Sequence, residues 1–271
     1  MYESYWSMTA RPFSNATEPV AFFRSKACNS ALLRLNYAVS NLSGPCLVVG
    51  QSGTGKSSLV RYFASEHTDL RPFVHLVFPA LQCDELLRMV QAELTDGAPT
   101  AASGIDAVLR DIRSDLRRHT SLGRRALLFF DDAHLLSDDA LQFVIQPLLS
   151  LAESDANLQL AMILSGQPSL AARLRRFGQI SERIAVTTPL NGFSAEETAD
   201  YVVSCLKQAG ASETIFSKAA LQRLFEVTSG NPRRINRLCD MALLVGFAER
   251  LQEIVPAQID SIACELLPAA A

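Results

Sequence analysis

One segment decides the fold of this 271-residue chain, and it reads Gly50-Gln51-Ser52-Gly53-Thr54-Gly55-Lys56-Ser57. It matches the pattern G-x-x-x-x-G-K-[ST], follows the apolar run Cys46–Val49 and precedes a helical pattern that begins at Ser58. In such a loop, glycines let the backbone amides turn toward the oxygens of a phosphate group. The segment therefore predicts that residues 50–58 form a phosphate-binding loop between a strand and a helix.

The last two residues of the pattern supply the charge and the metal ligand that such a loop needs. Lys56 is expected to neutralise the outer phosphates, both as a binding residue and as a catalytic one. The Ser57 hydroxyl is expected to hold Mg²⁺, and the helix that starts here adds positive dipole character. An ordinary glycine turn is the alternative, and the flanking strand and helix disfavour it.

Further short apolar runs alternate with stretches of helical spacing along the first 190 residues. They suit buried strands and lie at 73–77, 127–130, 160–164 and 184–187, in addition to Cys46–Val49. Strands that alternate with helices are typical of a parallel sheet covered by helices. The sequence therefore predicts an α/β domain around the phosphate-binding loop.

Two acidic residues, Asp131 and Asp132, follow the apolar run at 127–130. A carboxylate at the end of a buried strand can stand beside a magnesium ion that is bound to phosphate. We assign Asp131 to Mg²⁺, mostly through water, and Asp132 to polarising the water that attacks the phosphate. Of the histidines, this pattern places only His134 near such a site.

The strand signals stop after Pro189, and three or four amphipathic helices are expected beyond it. Their ranges are 195–208, 218–227, 232–247 and 257–267. Ser194 and Glu197 have the spacing of a capping box, which marks the start of the first of these helices. We place a domain boundary near Leu190, with one domain over residues 1–190 and a helical domain over 191–271.

Composition and charge exclude several classes of protein. Hydrophobic residues make up 48% of the chain and charged residues 20%, which is typical of a folded globular protein. The 25 basic and 28 acidic residues give a formal net charge of −3, too balanced for general attraction to nucleic acid or anionic lipid. No apolar run approaches the ~20 residues of a membrane span, and the amino terminus lacks a secretory signal, so a cytoplasmic location is expected.

Five motifs together carry a family resemblance. They are the phosphate-binding loop, Asp131-Asp132-Ala133-His134, Ser165-Gly166-Gln167-Pro168, Ser181-Glu182-Arg183-Ile184 and Gly230-Asn231-Pro232-Arg233-Arg234-Ile235-Asn236. This set resembles the AAA+ ATPase domain of the ExeA, or general secretion pathway protein A, group, whose relatives include target-selecting ATPases of bacterial transposition. The resemblance implies a P-loop NTPase fold with a parallel five-stranded sheet, helices on both faces and a small all-α lid, with ATP and Mg²⁺ bound at their junction.

The resemblance also assigns roles to residues outside the loop. Gln167 matches the sensor at the end of the fourth strand, with Ser165 as the alternative. Arg183 matches the arginine finger that reaches a neighbouring subunit's nucleotide. Its rivals in the sequence are Arg173, Arg175 and Arg176. Sites shared between subunits imply an ATP-promoted homo-oligomer, either a ring or a filament.

Arg233 matches the sensor of the lid, and the local sequence supports that role. Asn231 and Pro232 predict a helix cap followed by proline, which places Arg233 and Arg234 in the first helical turn. Each cation at this place costs ~0.3–1 kcal/mol of helix stability, because the amino end of a helix is positive. A bound polyphosphate would remove this conflict, and so would a nearby acidic side chain.

Asp132 is where this chain departs from its relatives, which usually have glutamate at that position. Because aspartate is one methylene shorter, slow hydrolysis is expected. The expected function is that of an ATP-binding and ATP-hydrolysing AAA+ protein, an oligomeric switch or assembly factor with an unidentified protein partner. An ATP-locked scaffold with negligible turnover is one alternative.

A DNA-associated ATPase that selects targets or loads a partner is the second alternative. It would need a basic surface from the arginines at helical spacing, which are Arg110, Arg113, Arg117 and Arg118. No aromatic residues interleave with them, and acidic residues share the stretch, so a solvated helix face is favoured over a nucleic-acid surface. Salt-dependent DNA binding would distinguish this alternative from the other two.

Overall fold

The computed structural model describes residues 2–13, 22–77, 81–95, 104–155, 157–211 and 213–266. It contains two compact units. The sheet unit consists of Lys26–Ser52 and Lys56–Leu190, and the helical unit consists of Met1–Ser25, Gly53–Gly55 and Asn191–Ala271. Among the described residues, no helix combines the length and the apolar character that crossing a membrane requires.

The sheet unit is built on five parallel strands. They are β1 (Cys46–Val49), β2 (Leu70–Leu76), β3 (Arg125–Phe130), β4 (Leu160–Gly166) and β5 (Val186–Pro189). Their order across the sheet is β2-β3-β4-β1-β5, and every pairing is parallel. The central strands are buried, which explains why they are continuous apolar runs in the sequence. The predicted parallel five-stranded sheet is confirmed.

Helices cover this sheet. They are α1 (Lys26–Ser40), α2 (Lys56–Glu66), α3 (Cys83–Leu94), α4 (Ile105–Ser121), α5 (Asp138–Ala140), α6 (Gln146–Ser154), α7 (Pro168–Leu174) and α8 (Gly178–Ser181). A π-helical turn at Leu141–Ile145 joins α5 to α6. Helices α1, α2, α3, α4 and α7 pack on β5, β4, β2, β3 and β1, respectively. The buried apolar faces of α3, α4, α6 and α7 form one hydrophobic core with the strands. Helices α1 and α2 bury apolar residues outside this cluster.

The helical unit has its own core. Its helices are α9 (Ala195–Gln208), α10 (Lys218–Thr228), α11 (Pro232–Ala248) and α12 (Pro256–Leu266). The predicted capping box is present, because Ser194 accepts from the N–H of Glu197 and the Glu197 carboxylate accepts from the N–H of Ser194. These four helices begin and end within one residue of the predicted positions.

The amino-terminal residues pack into this second core, a placement that the sequence did not suggest. Tyr2, Trp6, Met8 and Phe13 are buried there. The indole of Trp6 donates a hydrogen bond of 3.0 Å to the carbonyl oxygen of Leu243. The packing partner of an amino-terminal segment has no local signal in the sequence, because it depends on which helices come together.

Four of the five strands differ in extent from the prediction. Strand β3 begins two residues earlier, at Arg125, and β4 ends two residues later, at Gly166. Strand β2 begins at Leu70 rather than at residue 73, because Arg71 and Pro72 interrupt its apolar run. Strand β5 begins two residues later than predicted, at Val186, because the N–H of Ile184 still bonds back to the carbonyl oxygen of Ser181. None of these changes moves the residues that follow β1 and β3.

Candidate functional site

The phosphate-binding pattern starts where β1 ends and finishes in the first turn of α2. Gly50 directly follows β1, and its N–H donates a hydrogen bond of 3.1 Å to the carbonyl oxygen of Gly166 at the end of β4. Lys56, the first residue of α2, is only 6% exposed. Its ammonium donates bonds of 2.9 Å to the carbonyl oxygens of Gly50 and Gln51. Lys56 is therefore held against the backbone at the start of the phosphate-binding pattern.

The middle of the pattern belongs to the helical unit and requires glycine. Gly53 and Gly55 have φ angles of +83° and +90°, a region that residues with a Cβ rarely adopt. The carbonyl oxygen of Gly53 accepts a hydrogen bond of 3.2 Å from the N–H of Arg233. A Cβ on Gly53 would lie 2.7 Å from Asn231 Oδ1 and from the Cβ of Arg233.

Asp131 directly follows β3 and is hydrogen-bonded from both neighbouring strands. It is 6% exposed. The Ser165 hydroxyl, on β4, donates a bond of 2.5 Å to Asp131 Oδ1. Nε2 of His75, on β2, lies 3.2 Å from Asp131 Oδ2. Three adjacent strands thus converge on one carboxylate.

The hydrogen bonds at Asp131 keep this carboxylate ionised. Burial raises the pKa of Asp131, but hydrogen bonds from His75, Ser165 and Ser57 outweigh burial and lower the pKa to about 2. Ser57 is the residue that the sequence assigned to Mg²⁺ together with Asp131. The Ser57 hydroxyl is thus among the groups that act on Asp131, and both predicted metal ligands are oxygen ligands of the kind that Mg²⁺ prefers.

Asp132 has an unusual backbone and an accessible side chain. Its φ and ψ angles of 47° and 38° lie in the left-handed region, where aspartate occurs more often than most residues. Its N–H donates to Asp131 Oδ1 and to Ser165 Oγ. The side chain is 56% exposed, and its Oδ1 lies 3.8 Å from Nδ1 of His134. The carboxylate is therefore positioned to reach solvent water.

His134 is the histidine that the sequence placed near the site. Its Nδ1 is buried and has no hydrogen-bond partner among the described residues. The ring lies beside the Asp132 carboxylate, as the distance above shows. A buried polar atom without a partner costs free energy, and this one lies beside the residue assigned to the attacking water.

Gln167 and Ser165, the two candidates for the sensor, have different surroundings. Gln167 is the residue immediately before α7, and its side chain is half-buried. Ser165 is wholly buried, and its hydroxyl is engaged with Asp131. The sensor role of Gln167 stays a prediction, and Ser165 has a structural partner of its own.

Arg183 lies between α8 and β5 and has partners within the sheet unit. Its guanidinium donates to the hydroxyl of Ser150 over 3.2 Å and lies 3.1 Å from the carboxylate of Glu153. Among its rivals, Arg173 is paired with Asp138. Arg175 and Arg176 are exposed. The role of Arg183 in a neighbouring subunit stays a prediction.

Arg233 lies in the first turn of α11, as the sequence predicted. Asn231 is the N-cap residue, and its Oδ1 accepts from the N–H of Arg234, 3.3 Å away. The side chains of Arg233 and Arg234 are exposed. Within the helical unit, Arg233 is therefore attached through its own backbone N–H to Gly53 of the phosphate-binding pattern.

Sequence reasoning missed His75. The residue lies in β2, where it is paired with Phe129 of β3, two positions before Asp131. Nothing in the sequence indicates that β2 is the neighbour of β3, because the two strands are separated by more than 45 residues. Only a period-two pattern in β2, with Val74 and Leu76 buried, marks His75 as facing the opposite side of the sheet.

The arginine stripe on α4 is largely neutralised within the protein. Arg117 donates two hydrogen bonds, of 2.9 and 2.6 Å, to the carboxylate of Asp155. Arg113 lies 3.5 Å from the same carboxylate, and Arg118 lies 3.5 Å from Asp115. These ion pairs reduce the positive potential that a nucleic-acid surface would need.

The fold and the site together define the class of the protein. The five parallel strands, the phosphate-binding pattern after β1 and the acidic pair after β3 are the arrangement of a P-loop nucleoside triphosphatase. A family model described as an AAA domain matches residues 41–174. Residues 41–174 therefore form an AAA domain, which places this segment in the AAA+ family of P-loop proteins.

A curated relative points to a particular branch of that family. The chain is 30% identical to general secretion pathway protein A of Aeromonas hydrophila over 268 residues, which are 98% of this chain and 48% of that protein. The chain thus spans about half the length of this curated relative. The resemblance to the general secretion pathway protein A group is confirmed.

Solved structures of distant relatives share the fold. Cdc6p from Pyrobaculum aerophilum has a TM-score of 0.77 at 18% identity, with 96% of this chain and 72% of that chain covered. The ORC2 protein of Aeropyrum pernix has a TM-score of 0.70 at 14% identity, with 94% and 71% covered. The RuvB branch migration motor of Thermotoga maritima has a TM-score of 0.60 at 18% identity, with 91% and 70% covered.

Proposed function

We propose that this chain binds ATP with Mg²⁺ and hydrolyses ATP slowly, as an oligomeric switch or assembly factor that acts on a protein partner. The observation that carries the proposal is the group formed by Ser57, Asp131 and Ser165. It places a hydroxyl and an ionised carboxylate beside the helix that begins with Lys56. Membership of the AAA+ family supports the same conclusion.

The residues present fit ATP and Mg²⁺. The buried ammonium of Lys56 provides a point charge for phosphates. The hydroxyl of Ser57 and the carboxylate of Asp131 are hard oxygen ligands. When bound, Mg²⁺ would neutralise charge on the phosphate oxygens. The structure of the Aeropyrum pernix ORC2 protein, which has this fold, was determined as ADPNP and ADP complexes, and this agrees with a nucleotide as ligand.

The proposed catalytic residues act on the attacking water and on the outer phosphate. Asp132 would orient and polarise the water, since its side chain is accessible and its backbone is fixed by hydrogen bonds to Asp131 and Ser165. Gln167 would contact the γ-phosphate. Lys56 and Arg233 would bind the phosphates.

The proposal includes the assembly of several copies of the chain. Arg183 would act on the nucleotide of a neighbouring copy, as in the AAA+ proteins that this chain resembles. An interface that joins two different surfaces of identical subunits either closes into a ring or continues as a filament. ATP is therefore proposed to promote such an assembly, and the assembled form would engage the partner.

A scaffold with negligible turnover is the second candidate. It is favoured by the short and solvent-exposed carboxylate of Asp132, which has weak control over a water molecule. A DNA-associated role has less support, because the ion pairs of Arg117, Arg113 and Arg118 occupy the basic stripe. RuvB acts on Holliday junctions, but at 18% identity it shares only the fold with this chain.

Lys56→Ala tests the proposal. The variant is expected to lose binding of a fluorescent ATP analogue, because it removes the charge at the outer phosphates while α2 keeps a good helix former. Lys207→Ala, at an exposed position on α9, is the matched control and should bind like the natural protein. Unchanged affinity in a folded Lys56→Ala protein would refute the site.

A further inference from the structure

His75 is a polar residue whose placement the proposed residue roles do not explain. It lies in a strand whose neighbouring residues, Val74 and Leu76, are fully buried core. Its imidazole stacks on the ring of Phe129, with 4.7 Å between ring centroids and an interplanar angle of 17°. Phe73 lies at 6.0 Å and 20° from the imidazole, and its centroid is 6.4 Å from that of Phe129, so the three nearly parallel rings form one cluster. The close stacking on Phe129, with Phe73 beside it, restricts the orientation of the imidazole.

The fixed ring directs one nitrogen at Asp131. Nε2 of His75 lies 3.2 Å from Oδ2 of Asp131. An ionised carboxylate can only accept, so Nε2 carries the proton and donates. The other oxygen, Oδ1, accepts from the Ser165 hydroxyl and from the N–H of Asp132. Both oxygens of this carboxylate are therefore oriented by hydrogen bonds from the protein.

We propose that His75 is a positioning residue that orients the Asp131 carboxylate for Mg²⁺, an inference that rests on the proposed function. Partners that hydrogen-bond to a metal-binding carboxylate fix its direction, and their loss typically costs 10–100-fold in metal affinity or activity. His75 acts through Asp131 and is not itself a ligand, because its Nε2 proton points at the carboxylate. The described residues contain no group of three or more His, Cys, Asp or Glu side chains suited to a metal ion.

Three substitutions separate the hydrogen bond from the packing. His75→Phe keeps an aromatic ring beside Phe73 and Phe129 but removes the donor. His75→Asn has an amide that stops short of the Nε2 position, whereas His75→Gln places an amide N–H near it. We expect the Phe and Asn variants to need at least ~10-fold more Mg²⁺ for half-maximal binding of a fluorescent ATP analogue. The Gln variant is expected to recover most of this shift.

His67→Phe is the matched control. His67 also packs against a phenylalanine, Phe63, with 4.4 Å between ring centroids and an interplanar angle of 37°. Its Nε2 also contacts a side-chain oxygen, Oδ1 of Asn36, at 2.7 Å. Its replacement should leave the Mg²⁺ requirement unchanged. Binding of the analogue in EDTA should be the same in all four variants and in the natural protein, because the inference concerns the metal alone.

Each outcome of this experiment is informative. An unchanged Mg²⁺ requirement in a folded His75→Phe or His75→Asn protein overturns the inference, and so does a Gln variant that behaves like the Phe variant. If the Phe variant fails to fold, the Asn and Gln pair decides. If the natural protein binds no analogue with or without Mg²⁺, the proposed function fails. A natural protein that binds with Mg²⁺ but whose His75 variants match it refutes only the role of His75.

Discussion

The N–H of Arg233 donates a hydrogen bond to the carbonyl oxygen of Gly53 over 3.2 Å, so that one turn of α11 is attached to the phosphate-binding pattern. At this contact Gly53 has a φ angle of +83° and no space for a Cβ. Both the backbone conformation and the close approach of Asn231 and Arg233 therefore require glycine at this position.

Gly53→Ala is expected to destabilise the protein and to abolish binding of ATP. Gly123→Ala is the control, since Gly123 has a φ angle of +71° but a Cβ there would meet no atom within 4 Å. The control should lose ~1–2 kcal/mol from the left-handed backbone alone and should bind ATP normally. Urea unfolding of both variants measures the difference, and equal losses would contradict the role of the contact.

Ser165→Ala and Gln167→Ala are expected to have different effects. The Ser165→Ala variant loses a buried hydrogen bond to a charged group, so it should lose ~1.5–3 kcal/mol of stability. It should also need more Mg²⁺ to bind ATP. Gln167→Ala should keep its stability and its affinity for ATP but hydrolyse ATP more slowly. Thermal unfolding and single-turnover hydrolysis distinguish the two. A Gln167→Ala protein with normal hydrolysis would leave Ser165 as the sensor.

Arg183→Ala is expected to lose hydrolysis while it retains ATP binding, because the proposed role of Arg183 is in a neighbouring copy. Its ion pair with Glu153 is at the surface and contributes at most ~1 kcal/mol, so folding should persist. Lys207→Ala, at an exposed position on α9, is the control. Light scattering with a slowly hydrolysed ATP analogue should show assemblies larger than a dimer, and a monomer with and without the analogue would refute the shared site.

Substitutions of Asp132 test whether the length of this side chain limits the rate of ATP hydrolysis. Asp132→Asn should trap bound ATP, because an amide polarises water poorly. Asp132→Glu should raise single-turnover hydrolysis, since the exposed side chain leaves room for one more methylene, and misplacement by ~1 Å can cost about 100-fold. A small loss of stability is expected for glutamate, which tolerates the left-handed region less well. Unchanged hydrolysis in Asp132→Asn would exclude Asp132 and direct attention to His134.

The hydrogen bonds of Asp155 predict that part of the protein's stability is lost at acidic pH. Hydrogen bonds from Arg117 and from the N–H of Asn157 lower the pKa of Asp155 to about 2. Because this value lies below the ~3.9 of an unfolded chain, the stabilisation is present above about pH 4 and is lost as the pH falls toward 2. Asp155→Asn should flatten the fall in the free energy of unfolding over this range. Asp106→Asn, at an exposed position of α4, should not.

The sequence by itself determined the class of fold and the centre of the site. The pattern from Gly50 to Ser57 can be recognised without the tertiary structure, because a phosphate-binding loop is formed by consecutive residues whose glycines and lysine act locally. The central strands β1, β3 and β4 were also evident, since a buried parallel strand is a continuous apolar run. Likewise, the cap at Asn231 and the box at Ser194 depend on neighbours three residues away.

Only the tertiary structure decided which residues surround Asp131 and Asp132. The order β2-β3-β4 brings His75 and Ser165 to one carboxylate, although they lie 56 and 34 residues away along the chain. Two further contacts also depend on the tertiary structure. Asp155, which follows β3 in the chain, pairs with arginines of α4. The indole of Trp6 donates a hydrogen bond to the carbonyl oxygen of Leu243 in α11. Hydrogen bonds and packing between distant segments follow from strand order and register, and neither leaves a local pattern in the sequence.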